Sequence, residues 1–350
     1  MIIYKFLILT NETQDEHILW EQACKNNCRV SYRIVNLTKN TWLDDIQKDD
    51  FDYLLAKPGG LTAPFKQLYD ERIYILTNEL NYKVYPSKTE VFIYENKRFL
   101  SFWLKAHHIP HPMTNVFYDI KEAKDFLDKT TNIIVAKTNI GASGSGVRIL
   151  KTKEEKNDYT NKTFLGKGAP QRSGPNFEKG GILKRGFHYV KNPKEIKKKL
   201  KIYKIVNSSS QKGFVLFQEF IPHDFEWRVV RIGDSFFAHK KLKLGEKTSG
   251  SLLKRYENPP LGLLDFVKKI TDKHELYSQA VDIFETSGNY LVNEMQCIFG
   301  QSDSYQMMLD GKIGRYINQG NKWVFEKGDF AKNACYDLRL DFVINQLDNA

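Results

Sequence analysis

Three oxygen-bearing side chains late in the chain have the types and spacing of a metal site. Asp282 lies in the apolar run Val281-Asp282-Ile283-Phe284, and Glu294 and Gln296 lie in Tyr290-Leu291-Val292-Asn293-Glu294-Met295-Gln296, after a short turn. Residues i and i+2 of a strand share a face, so Glu294 and Gln296 point one way and Met295 the other. Two carboxylates and an amide are hard donors that suit Mg²⁺, or Mn²⁺ in its place, and leave room in the shell for water and phosphate oxygens. Taken alone, the same residues also read as surface carboxylates on a hairpin. On the metal reading, Asp282→Asn or Glu294→Ala removes a ligand and leaves the fold intact.

A second constellation lies upstream. The segment Lys137-Thr138-Asn139-Ile140-Gly141-Ala142-Ser143-Gly144-Ser145-Gly146-Val147 sets three glycines and two serines between β-like runs. Glycines let backbone N–H groups approach phosphate oxygens, and Lys137 adds a positive charge at the strand end. The loop leads into a strand, so neither the Walker pattern nor the dinucleotide fingerprint is present. A flexible hairpin is the other reading. Further on, the apolar run 214–222 is interrupted by Gln218-Glu219 and stops at Pro222. Such a segment is either a plain strand end or a linker offering polar groups to a base. Arg228 and Lys240 follow on successive strand-like runs and are read as facing one side, where they would neutralise phosphate.

These residues need elements to hold them. The opening run 1–9 reads as a buried strand, followed by a helix over 15–26 and strands over 29–36 and 51–56, which together imply an open α/β sheet. Ser87-x-x-Glu90 is a capping box that opens one long helix from 88, containing Lys97 and stopping before Pro110. Asp119-x-x-Glu122 opens another, ending near 129, and strands follow at 132–137 and 147–150. Residues 151–190, rich in Lys, Gly, Asn and Ser, read as an enlarged, partly mobile insertion. A short basic helix after Asn192-Pro193 reads as a solvated face. Strands at 213–221, 226–232 and 235–243, then one or two helices over 261–281, lead into the Asp282 strand.

The chain has 350 residues, 41% of them hydrophobic, enough for two or three domains. Its net charge of +11 favours anionic ligands, but the cations are spread along the chain rather than gathered in an arm. An anionic nucleotide accounts for part of the excess, and nucleic acid is not required. Cys24, Cys28, Cys297 and Cys335 form neither a disulfide framework nor a zinc pair, and read as reduced thiols of a cytoplasmic protein. Cys24 and Cys28 are expected to share a helical face as packing. His107-His108-x-x-His111 straddles Ile109-Pro110 and reads as helix-end capping rather than zinc binding. The apolar start is too short to span a membrane and lacks the features of a cleavable leader.

In their order and spacing, Lys97, Lys137 and its loop, Gln218-Glu219, Arg228, Lys240, Asp282, Glu294 and Gln296 resemble the ATP-grasp superfamily. The likeness covers roughly 52–303 and is nearest in style to the ribosomal-protein glutamate ligases and related carboxylate–amine ligases. It implies an N-terminal open α/β domain (1–86), an ATP-grasp domain of two α+β subdomains (87–310) and a C-terminal extension (311–350). It implies ATP held between the subdomains, with Lys97 and Lys137 on the phosphates and Gly141, Ser143, Gly144 and Gly146 as a lid. Gln218, Glu219, Phe220 and Ile221 would read adenine, Asp282, Glu294 and Gln296 would hold Mg²⁺, and Arg228 and Lys240 would stabilise the reacting groups. The implied activity is attack of a carboxylate on the γ-phosphate and capture of the acyl phosphate by an amine. A large or anionic acceptor such as a peptide, a sugar acid or a surface polysaccharide precursor fits the basic charge. The competing readings are phosphoryl transfer without ligation and a nucleotide-binding regulator without turnover. The chain departs from the family's Glu-x-Asn at Gln296, and again in the turn 297–303.

Overall fold

A computed structural model of the chain describes residues 2–13, 16–141, 146–168, 196, 200, 205, 211–244, 247–248, 253–301 and 303–349. The chain divides into two compact units, one of residues 1–60, 64–111 and 223–350 and the other of 61–63 and 112–222.

The first unit begins with a parallel sheet in the order β2-β1-β3-β4, from β1 (Tyr4–Thr10), β2 (Val30–Asn36), β3 (Tyr53–Ala56) and β4 (Val84–Tyr85). Successive residues Phe6, Leu7, Ile8 and Leu9 are all buried. Both faces of β1 are therefore covered, as a parallel sheet between helices requires. Helices α1 (Ile18–Lys25), α2 (Trp42–Gln47) and α3 (Ala63–Tyr74) make the connections. Cys28 lies beyond the end of α1 and is exposed while Cys24 is buried, so the expected shared face is not formed.

The capping box forms as expected: Ser87 Oγ accepts from Glu90 N and Glu90 Oε2 accepts from Ser87 N. The helix it opens is not continuous. It breaks into α4 (Lys88–Ile93) and α5 (Lys97–Ala106), with Glu95 in the left-handed region at φ 48°. Asn96 recaps the chain by accepting from Phe99 N, so Lys97 becomes the first residue of a new helix.

The second unit holds β5 (Thr114–Phe117), α6 (Ile120–Asp128), β6 (Ile134–Lys137), β7 (Val147–Leu150), α7 (Lys153–Phe164) and β8 (Val215–Glu219). Its antiparallel sheet runs β5-β8-β6-β7, and Ala123, Leu127 and Tyr159 share a core with Phe117, Ile134, Ala136 and Phe217. Helix α7 corrects the reading of 151–190 as insertion alone, since Thr152 and Glu155 form a second capping box. The rest of that insertion, 169–190, and most of the basic segment after Pro193 lie outside the described residues.

The first unit resumes with β9 (Phe225–Ile232), β10 (Ser235–Leu244), β11 (Lys247–Thr248), β12 (Lys254–Arg255), α8 (Leu261–Lys273), β13 (Ser278–Thr286) and β14 (Asn289–Gln296). It ends with β15 (Met308–Leu309), β16 (Lys312–Gln319), β17 (Lys322–Lys327) and α9 (Tyr336–Asp348). The main path of this sheet is β14-β13-β9-β10-β16-β15, with antiparallel neighbours throughout. Trp227, Val229, Val281, Ile283, Val292 and Met295 share a core with Leu100 and Leu104 of α5 and with Leu263, Leu264 and Val267 of α8. Alternation leaves the intervening side chains on the opposite face. The C-terminal stretch, read as an extension, puts Tyr336, Leu340 and Val343 in one core with Phe6, Ile8 and Trp20.

Candidate functional site

The polar face of the large sheet carries the late residues. In the registers of β9, β10, β13 and β14, His239 pairs with Arg228, Arg228 with Asp282, and Asp282 with Glu294. Directly paired residues of antiparallel strands share a face, so these four form a row across the sheet. Asp282 is 1% exposed, in a strand buried on both sides. A carboxylate so placed needs charge compensation, and it has it twice. Arg228 donates from Nε to Oδ1 at 2.7 Å and from Nη2 to Oδ2 at 2.8 Å, while Lys241 Nζ donates to Oδ2 at 2.7 Å. Lys241 also reaches Glu226 Oε2 at 2.7 Å, and Glu226 Oε1 accepts from Asn293 Nδ2 at 3.1 Å.

Burial works against the Asp282 carboxylate, but the charges of Arg228 and Lys241 and their hydrogen bonds outweigh it and hold its pKa below the usual range. For Lys241 and Arg228, burial disfavours the cation and the neighbouring carboxylates more than offset it, so both are raised. His239 shows the opposite balance. Burial, then the Arg228 and Lys254 charges, lower it to about 3. The imidazole is therefore neutral, and with Gln306 O at 2.9 Å its Nδ1 carries the proton.

Glu294 and Gln296 occupy a more open part of the row. Gln296 Nε2 donates to Glu294 Oε1 at 3.3 Å and to Glu95 Oε1 at 3.4 Å, and Lys97 Nζ lies 3.6 Å from Glu294 Oε1. Between them and Asp282 the strand pair changes register: Asp282 faces Glu294, Ile283 faces Val292, and Asn293 is the extra residue of a β-bulge. The bulge puts Asn293 and Glu294 both toward polar partners. Of the three expected donors only Glu294 and Gln296 lie open, the hard-oxygen types that suit a divalent cation with few protein ligands, while both oxygens of Asp282 already accept from Arg228 and Lys241. Among the described residues no three His, Cys, Asp or Glu side chains form a metal cage, the histidines near 107–111 included. His107 instead caps the end of α5.

In the second unit, Lys137 ends β6 and is buried, facing Val147 of β7 and Leu216 of β8. The turn between β6 and β7 closes by Thr138 N donating to Gly146 O at 2.9 Å. Gly146 has φ +77°, and a Cβ there would lie 2.1 Å from Thr138 Oγ1, so the position admits only glycine. Gly141 bounds the other side at φ 149°; Ser143 and Gly144 lie outside the described residues. On β8, Gln218 is buried and donates to Thr114 Oγ1 at 3.2 Å. Glu219 pairs with Met113 through its backbone N–H at 2.8 Å and its carboxylate at 3.2 Å, and Phe220 and Ile221 continue beyond the strand.

No protein-family model and no curated protein matches the sequence. Solved structures do match. A RimK domain protein ATP-grasp from Sphaerobacter thermophilus is 15% identical, with 83% of this chain and 90% of that one covered at a TM-score of 0.52. A D-alanine–D-alanine ligase from Bacillus anthracis is 14% identical, with 98% and 96% covered at 0.52. The ADP complex of an N5-carboxyaminoimidazole ribonucleotide synthetase is 12% identical, with 86% and 72% covered at 0.53. The chain has the ATP-grasp fold.

Within this ATP-grasp fold, two readings of the site change. Lys240 does not share a face with Arg228. It pairs with Trp227, lies over the Phe225 and Trp227 rings at 3.9 and 4.8 Å, and forms an ion pair with Glu257. The cation beside Arg228 is Lys241. The signal was present in the sequence: Gly233-Asp234 between β9 and β10 is a two-residue turn, which sets Ile232 against Ser235 and hence Glu226 against Lys241. Asp282, second, is not a ligand whose loss leaves the fold untouched, since it balances the buried Lys241 and the partly buried Arg228. Asn293 and Glu95 were also missed. Glu226 is legible as the i−2 neighbour of Arg228, whereas the bulge at Asn293 has no local signature and the helix break at Glu95 only that of the cap residue Asn96.

Proposed function

We propose that the chain is an ATP- and Mg²⁺-dependent ligase that joins a carboxylate to an amine through an acyl phosphate. The observation that carries this reading is the cross-strand pair of Asp282 and Glu294, with Gln296 beside Glu294 and Lys97 3.6 Å away, on the sheet face that also holds Arg228 and Lys241.

Glu294 and Gln296 would hold the cation, with Asp282 contributing charge from beneath. A divalent ion held there would supply positive charge against the negative charge that develops on a transferring phosphoryl group. Lys97 and Lys137 would pair with phosphates, and the 141–146 turn would present backbone N–H groups to them. Gln218, Glu219, Phe220 and Ile221 would read the base. Arg228 is anchored by two hydrogen bonds to Asp282, so its remaining nitrogen is preorganised to meet an anion without a reorientation cost. Lys241 takes the role first given to Lys240. The excess of cations suits a large or anionic acceptor such as a peptide, a sugar acid or a polysaccharide precursor.

The test is ADP and phosphate release from ATP over a panel of acids and amines, with products identified by mass spectrometry. Release that needs both an acid and an amine, with a condensed product, supports the ligase. A phosphorylated product from a single substrate would replace it with a kinase, and ATP binding with no product across the panel would replace it with a regulator.

A further inference from the structure

The amide of Gln296 has an unusual surround. Two carboxylates, Glu95 and Glu294, present an oxygen to its Nε2, at 3.4 and 3.3 Å. An amide has two N–H donors and one carbonyl oxygen, and turning the oxygen toward two carboxylates would replace attraction with repulsion. The flanking groups therefore choose which end of the side chain is nitrogen, and Oε1 is the end left to face elsewhere. If Glu294 engages a cation, its lone pairs are drawn to the metal and its hold on Nε2 weakens. Glu95 is then the acceptor that remains.

Glu95 is built into this position by the backbone. It occupies the break between α4 and α5 at φ 48°, a conformation uncommon for a residue with a side chain. Gly60 lies under it: a Cβ at Gly60 would come within 3.2 Å of Glu95 Cβ and 3.4 Å of its Cγ. Gln also has one more rotatable bond than Asn, so its amide has more freedom to lose before it can serve as a fixed ligand. We propose that Glu95 is a positioning residue for Gln296, accepting an Nε2 hydrogen so that Oε1, the end turned from both carboxylates, is the one left to a hard divalent cation that Glu294 also serves. This rests on the metal role given above to Glu294 and Gln296. Partners that orient a metal ligand commonly change affinity by about 10–100-fold when removed.

The experiment is titration of the full chain with MnCl2, with and without a non-hydrolysable ATP analogue, followed by the electron paramagnetic resonance signal of free Mn²⁺. Glu95→Ala should weaken Mn²⁺ binding about tenfold, at the lower end of that range. Glu95→Gln, whose carbonyl accepts the same hydrogen, should stay within about threefold of the parent, because the lost contact is a hydrogen bond and not a metal ligand. In a Gln296→Ala background, Glu95→Ala should have no further effect. Glu95→Gly gives the same removal without straining the left-handed backbone, so the comparison stands if the alanine variant folds poorly. An equal loss in Glu95→Gln, or an equal loss with Gln296 already removed, would mean that Glu95 acts on the cation directly and would overturn the proposal. If Glu294→Ala abolishes Mn²⁺ binding and Glu95→Ala leaves it unchanged, the positioning role alone falls. If Glu294→Ala leaves binding intact, or the parent binds no Mn²⁺, the metal reading falls and the positioning role with it.

Discussion

On β9, β10 and β13, side chains of opposite sign, buried except for the partly buried Arg228, hold one another: Arg228 and Lys241 each lie within 2.8 Å of Asp282, and Lys241 also binds Glu226. The turn after Lys137 is held differently, by the Thr138-to-Gly146 backbone hydrogen bond and a left-handed glycine with no room for a side chain. The first region is fixed by charge and is therefore exposed to anything that alters charge. The second is fixed by backbone conformation and is exposed to anything that adds a Cβ. Each carries part of the candidate site, and each should fail under a different insult.

The largest effect is expected from breaking the charge network. Asp282→Asn or Lys241→Ala leaves buried charge without its partner, which typically costs about 3–5 kcal/mol. Urea denaturation of either variant should show that loss along with loss of activity, and an unchanged midpoint would mean that the network is not structural. Gly146→Ala comes next, at about 1–3 kcal/mol from backbone strain alone. It should weaken ATP binding, measured calorimetrically, more than it shifts the midpoint of the Asp282 region.

Acid should separate the two regions without a mutation. The folded-state pKa of Asp282 lies below its ordinary value of 3.8, so its contribution to stability is present above 3.8 and is lost as the pH falls below that toward the folded value. Stability measured from pH 6 down to the acid limit should therefore drop less steeply in Asp282→Asn, while Gly146→Ala should keep the parent slope. Parallel curves for all three proteins would break the comparison.

Smaller effects test the register. Lys240→Ala removes a cation over two rings and a partly exposed ion pair, and should cost about 1 kcal/mol with turnover retained. Glu294→Ala should move the denaturation midpoint least, by less than about 0.5 kcal/mol, because its carboxylate is partly exposed and its cation partner stands at 3.6 Å. Its loss of turnover should nevertheless be complete. A large stability change there would move Glu294 into the same structural class as Asp282.

Much of the scaffold was legible in residue patterns. The Ser87–Glu90 capping box, the Asp119 cap and the alternating runs of β6, β7, β9 and β10 are local features, with side-chain oxygens satisfying helix N–H groups or apolar residues recurring with the period of a strand. Thr152 and Glu155 carry the same signal for α7, within a segment read as an enlarged, partly mobile insertion. The face of Lys241 could have been counted from the Gly233-Asp234 turn. The break at Glu95 is marked only by the cap residue Asn96 and is masked by Phe92 and Phe99, which continue an apolar pattern across it with their rings 6.0 Å apart.

Residue types and order were enough for an open α/β beginning, the ATP-grasp fold, and a candidate donor set of Asp282, Glu294 and Gln296. They act through neighbours close in sequence or through a strand's period of two. Which of those donors is locked by cations, which stays open, and that Glu95 meets Gln296 across some 200 positions of chain were decided only by the tertiary fold. Strand pairing across the sheet brings together charges that have no shared local pattern, and the cost of burying Asp282 is met by partners that the sequence places 54 and 41 residues away.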